Sequence, residues 1–278
     1  MRVKIAPVGK RLGLASALVW LAAWAAAEAP VAEVRPGGIV RWRQEGMTSC
    51  AAGGRSWAPI GDTCFFPIDL LASGSLRLEI TRRERVEAVT VRVGAYPYPE
   101  QRLEVDDRMV HLSAADEERV ARESKEVAAL WPLEGEAQLD LPLAAPLEEL
   151  PDGGRFGARR VFNGEPRSPH AGIDYRGATG TPVLAAADGR VVLAREHFFG
   201  GNSLYLFHGG GLISIYMHLS RLAVKEGDEV KRGQVIGAVG ATGRVTGPHL
   251  HFAVRWHGTR VDPALLLAPV NGIPELQR

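Results

Sequence analysis

Cysteine is scarce. Cys50 and Cys64 are the only two among 278 residues, so a four-thiolate zinc site is excluded, and no further Cys or His lies near enough in sequence to complete a structural one. Charge of one sign is also missing. Thirty-three basic residues against 32 acidic ones leave a formal net charge of +1, so no chain-wide field draws the protein to nucleic acid. The glycine-rich turns never take the Gly-x-x-x-x-Gly-Lys spacing of a phosphate loop, which removes that route to nucleotide binding. No apolar run reaches the roughly 20 residues that a membrane-crossing helix needs.

The first 29 residues read as an export signal. Arg2, Lys4, Lys10 and Arg11 precede an uncharged stretch over 12–27, and Ala25, Ala26 and Ala27 offer a small-residue cleavage site. An uncleaved membrane anchor, accommodated by tilt or thinned lipid, is the alternative. No cysteine sits just after the run, which speaks against a lipid-anchored lipoprotein. Export to a periplasm or another oxidising compartment predicts a disulfide between Cys50 and Cys64, with two buried thiols as the plainer reading.

With 46% hydrophobic residues the chain can bury one large core or two modest ones, and its patterning favours two. Residues 30–112 alternate apolar and polar side chains, as in Leu76, Leu78 and Ile80 or Val89, Val91 and Val93. That period, cut by Gly and Pro turns, predicts a small β-sandwich. Ser113 with Asp116 resembles a capping box and opens a Gly- and Pro-free helix over 113–131. Its narrow apolar stripe suits a solvated connector. Pro132, Pro142, Pro146 and Pro151 mark 132–154 as an extended linker. A second, all-β domain over 155–270 follows, and 271–278 form a tail.

Every chemically suggestive residue falls in that second domain. His249 and His251 share one face of a strand while Leu250 and Phe252 take the other. A lone histidine is usually a satisfied core or surface residue, but a same-face pair is less easily dismissed. His170 and Asp174 add an imidazole and a carboxylate with three residues between them. Two imidazoles with one carboxylate form a ligand set for catalytic zinc, the fourth position being left to water. His218 brings the total to four His and one Asp, more than zinc alone requires. Tyr216 shares period-two phase with His218 and is a candidate for a substrate groove, as are Asn163 and Arg167 just before His170; surface loop is the bland account of the latter two. His111, His197, His208 and His257 get packing, turn or surface roles.

These motifs resemble the lysostaphin-type, LytM-like family of zinc peptidoglycan endopeptidases. His170-Ala-Gly-Ile-Asp174 looks like the family's His-x-x-x-Asp motif and His249-Leu-His251 like its His-x-His motif, with Tyr216-Met-His218-Leu219 between them. The resemblance implies one zinc ion per chain held by His170, Asp174 and His251, with His218 and His249 as unliganded catalytic imidazoles. It also implies peptidoglycan as the substrate, the D-alanyl to diaminopimelate crosslink ahead of glycine bridges. Many relatives that only activate other wall hydrolases have lost these ligands, and their presence here implies a working enzyme. The alternative is a non-catalytic regulator docking on another hydrolase through the same groove. The domain order leaves three roles for the N-terminal extension, which are to occlude that groove, to recruit or to space; if it occludes, deleting residues through Pro151 should raise activity.

A rival of another class comes from 224–243, which resembles the turn pattern of biotinyl and lipoyl carriers. No lysine stands where such a carrier needs one, so the similarity is read as shared geometry: a sandwich or barrel-like domain related to barrel-sandwich hybrids.

Overall fold

The computed structural model describes residues 32–137 and 140–276; the signal-like stretch at 1–29 lies outside them. In the N-terminal part, Gly74–Arg82 and Arg85–Val93 form a long hairpin flanked by Glu33–Val34 on one side and by Met47–Ala52 and Arg55–Trp57 on the other. Leu78, Ile80 and Val91 point to one face and are buried, as the alternation predicts. A ribbon of Ile39–Arg43 paired with Thr63–Pro67 closes this sheet into a small sandwich. Cys50 and Cys64 join sheet to ribbon as a disulfide with a Cα–Cα distance of 5.6 Å.

The ribbon is buried on both faces. Val40 and Phe66 enter the N-terminal core, whereas Ile39 and Phe65 enter the core of the second sheet system, where Phe65 stacks on Trp256 at 5.2 Å. A strand covered on both sides needs consecutive apolar residues, and Ile39-Val40 and Phe65-Phe66 supply them. Val31–Arg278 is accordingly one compact unit. Glu100–Leu103 pairs in parallel with Arg159–Phe162, which continues through a two-residue Asn163-Gly164 turn into Glu165–Arg167. Both turn residues have positive φ, 50° and 85°, the geometry for which Asn-Gly is the preferred pair.

The C-terminal part is built on a sheet ordered Gly172–Arg176, His249–Trp256, Leu212–Leu219, Gly201–Phe207, Gly189–His197 and Glu229–Val230. One face packs against the small sheet of Pro182–Leu184, Val235–Ala238 and Arg221–Leu222, burying Leu204, Tyr216, Leu250 and Phe252. Each such side chain stabilises the fold by about 1.5–3 kcal/mol relative to exposure. The sheets stay open, with no closed barrel.

The opposite face of the large sheet carries Leu193, Tyr205, Ile213, Ile215 and Ala253. It is covered at one end by the helix Ala114–Ala128 and the turn after it, through Val127, Leu130 and Trp131. Ser113 caps the helix by accepting from the Asp116 N–H. None of its residues is fully buried, in keeping with the narrow stripe. No described helix is long and apolar enough to cross a membrane.

The proline-rich stretch is packed rather than loose. Leu143 and Leu147 are buried. The Leu143 N–H donates to Leu266 O at 2.7 Å, Ala144 N–H to Ala186 O at 2.8 Å and Leu184 N–H to Pro146 O at 2.9 Å. Its prolines prevent regular structure, but its leucines still dock.

Candidate metal centre

The helix-covered face of the large sheet opens into a groove of about 1030 Å³, with Val120, Glu123 and Val127 of the helix on one wall. Strand register builds its floor. Asp174 stands directly across from His251, and alternation sends both outward while Tyr175, Leu250 and Phe252 go to the core. His249 follows on the same face as His251. His170 enters from the loop just before the Asp174 strand, tied by its N–H to Ala158 O.

Three donor atoms converge there. His170 Nε2 lies 2.9 Å from Asp174 Oδ1 and 3.0 Å from His251 Nδ1, and the latter lies 2.9 Å from the same carboxylate oxygen. Such a triangle leaves each atom able to reach one point about 2 Å away, the bond length of zinc to imidazole or carboxylate. His170 holds its Nδ1 against Arg155 O at 2.9 Å. A carbonyl only accepts, so that nitrogen carries the proton and Nε2 presents a lone pair. Burial lowers the His170 pKa to about 4, keeping it neutral. Burial alone would raise the Asp174 carboxyl, but its contacts with His170 and His251 hold it well below the usual carboxylate range. Lone pairs facing one another at this distance suit a shared cation. Gly172 makes the room: a Cβ there would sit 2.8 Å from the His251 ring.

His218 and His249 flank the triangle, their rings 4.8 Å apart. His218 Nδ1–H donates to Thr242 O at 2.9 Å and His249 Nδ1–H to Gly247 O at 2.8 Å. Neither Nε2 makes a described hydrogen bond, and that of His249 lies 3.7 Å from Asp174 Oδ1. Burial and the neighbouring His251 and His249 rings push the His218 pKa down to about 3.

The substrate-groove expectation for Tyr216 is corrected. Its side chain is fully buried in the core, where its hydroxyl accepts from the Ala186 N–H at 2.9 Å. By strict alternation His218 would follow it inward. Instead His218 takes φ 67° and the pairing with the next strand slips between Asn202 and Leu204, which turns the imidazole out into the groove. Strain of this kind in a non-glycine residue costs about 1–3 kcal/mol and gathers at functional sites.

Asn163 and Arg167 are likewise not groove residues. Asn163 Oδ1 accepts from Val105 N–H and its Nδ2 donates to Val105 O, while Arg167 donates to Val110 O and pairs with Glu165. Both fasten the segment before the helix. The arginine that does reach the triangle is Arg160, whose Nη2 is 3.3 Å from Asp174 Oδ2. It sits in an Arg159-Arg160 pair whose strand phase alone could have singled it out.

Residues 168–263 match the model of Peptidase family M23. The chain is 39% identical over 137 residues to the peptidoglycan DD-endopeptidase ShyC of Vibrio cholerae, covering 49% of this chain and 31% of that protein. It is 44% identical over 107 residues to the DD-carboxypeptidase/endopeptidase Mpg of Neisseria meningitidis, covering 38% and 24%. The chain thus spans a third or less of the curated relatives it matches. A Pseudomonas aeruginosa crystal structure assigned to peptidase M23 aligns over 86% of this chain and 96% of its own, at 30% identity and a TM-score of 0.67.

Proposed function

The chain belongs to Peptidase family M23, and from that premise we propose that it is a zinc endopeptidase that hydrolyses peptide crosslinks of peptidoglycan, with the D-alanyl to diaminopimelate bond as its target. The observation that carries this reading is the convergence of His170, Asp174 and His251 beside two histidines whose Nε2 atoms are uncommitted. The names of the DD-endopeptidase relatives support the substrate.

The donor set of two imidazoles and one carboxylate fits zinc, and His170, Asp174 and His251 would hold it. Zinc bound in such a set acidifies water and polarises a carbonyl. The rest is done by the protein. His170 is locked in the correct tautomer by Arg155 O, and Arg160 steadies the free oxygen of Asp174. His249 and His218 carry the proton: the Nε2 that accepts it from the attacking water becomes an N–H that donates to the leaving amine or the developing oxyanion. Neutral, neither ring offers the groove a donor, because each Nδ1–H is already held by a carbonyl.

We place the enzyme outside the cytoplasm, in a periplasm or an equivalent space. The basic and apolar pattern of residues 1–29 supports export, and so does the Cys50–Cys64 disulfide, which persists in an oxidising compartment. The test is digestion of purified peptidoglycan by the full chain with and without a chelator, the fragments being read by mass spectrometry. The expected outcome is release of uncrosslinked stems that the chelator abolishes. Intact sacculi together with a zinc content near zero would favour the regulator instead.

A further inference from the structure

The groove is lined by more positive than negative side chains. Arg160, Arg176 and Arg244 line it, against two acids, Asp174 and Glu123. Both acids are engaged. Asp174 faces His170 and His251 through Oδ1 and Arg160 through Oδ2, and Glu123 accepts from Arg119 at 2.7 Å and from the Phe198 N–H at 2.8 Å.

Arg244 is held between aromatic rings, its guanidinium 4.1 Å from the centre of Phe199 and 4.8 Å from that of Phe162. One Nη1–H donates to Met109 O at 3.2 Å, and no described carboxylate pairs with it. Arg160 packs near the same Phe162 ring, and its buried Nε has no hydrogen-bond partner. Gln101, its cross-strand neighbour, also keeps a buried side-chain oxygen without a partner. Burial lowers the pKa of Arg244 to about 10, and Arg160 and Arg167 push the same way. Two guanidinium groups withdrawn from water around one Phe162 ring, with Asp174 as their only described carboxylate partner, are costly to keep. Their planar forks match a carboxylate, and aromatic stacking fixes the plane in which it would be met.

We infer that Arg160 and Arg244 form a carboxylate subsite, which binds a free carboxylate of the substrate peptide close to the scissile bond. The inference rests on the peptidase reading of the groove and sharpens it. In a crosslink to diaminopimelate, the carbon bearing the scissile nitrogen also bears a carboxylate. A glycine bridge has no such group there, so the subsite selects between the two wall chemistries.

The test uses two synthetic crosslinked peptides that differ only in whether that carboxylate is free or amidated. The zinc-loaded full chain is expected to cleave the free form about tenfold to a hundredfold faster in kcat/KM, the worth of one charged hydrogen-bonded contact. Arg244→Gln and Arg160→Gln are expected to slow the free form far more than the amide, so that the ratio collapses toward one. Equal loss on both peptides would mean that the arginines only support the fold or Asp174, and would overturn the subsite; so would a wild-type ratio near one. Should Arg160→Gln fail to fold, Arg244→Gln decides alone. Calorimetric binding of the same peptides separates this proposal from the peptidase reading. If neither peptide is cut, a binding preference for the free carboxylate that Arg244→Gln erases keeps the subsite and sinks only the enzyme; no preference sinks the subsite.

Discussion

The two ends of the strand Leu212–Leu219 treat histidine in opposite ways. At its start, Ser214 meets His208, which is wholly buried and satisfied at both nitrogens: Nδ1–H donates to Asp188 O at 2.7 Å and Nε2 lies 2.7 Å from Ser214 Oγ. At its end, His218 has one nitrogen satisfied by Thr242 O and the other turned to the groove, next to His249 in the same condition. Both ends are buried, so burial does not separate a structural histidine from a functional one. A ring nitrogen left open to a cavity does, because it is free to take a proton or a ligand.

The strongest way to break this contrast is at the triangle itself. Asp174→Ala is expected to lose zinc and cleavage together, with activity falling to background, because two remaining imidazoles do not make a three-ligand site. His218→Ala is expected to keep zinc and lose about 10²-fold in turnover, the scale seen when a group that aids the transition state is removed. Metal analysis of the two purified variants beside their peptidoglycan cleavage rates checks both. Equal zinc loss in the two would erase the difference between ligand and bystander.

How far these roles were legible depended on periodicity. Asp174, His249 and His251 lie on regular strands, so alternation put them on one face, and the cross-strand register did the rest. Tyr216 was misjudged for the same reason: alternation tied it to His218, and the positive φ that frees His218 leaves no mark in the sequence. The helix start was plain from Ser113 and Asp116, while the docking of 132–154 was hidden because prolines mask a pair of buried leucines. The ribbon's consecutive Phe65 and Phe66 were the trace of two cores sharing one strand pair, visible once both cores are known.

At the satisfied end the expected effects are thermodynamic. Burial, partly offset by Asp188, lowers the pKa of His208 to about 4, against an ordinary value near 6.5. The folded state thus resists a proton that the unfolded state accepts. Above about pH 6.5 the ring is neutral in both states and nothing is lost. As pH falls through the window from about 6.5 to 4, the unfolded chain is favoured by up to about 3 kcal/mol. His208→Gln, which does not titrate, is expected to flatten that part of the stability profile relative to wild type. Denaturant midpoints of both across this range are the measure, and parallel profiles would remove His208 from the account.

The smallest expected effect tests where Tyr216 belongs. The hydroxyl accepts from the Ala186 N–H and lies 3.0 Å from Ser214 Oγ. Since His208 Nδ1 must donate to a carbonyl, its Nε2 accepts from Ser214, and the tyrosine hydroxyl donates to Ser214 in turn. Tyr216→Phe breaks this relay in the middle and strands a buried N–H, which costs about 1–3 kcal/mol. The ring that packs on Phe252 at 5.3 Å is kept, so the core stays filled and the groove, on the other face of the sheet, is untouched. A lower denaturant midpoint with an unaltered KM is expected. A raised KM at wild-type stability would return the hydroxyl to the substrate and undo the division between the two ends of the strand.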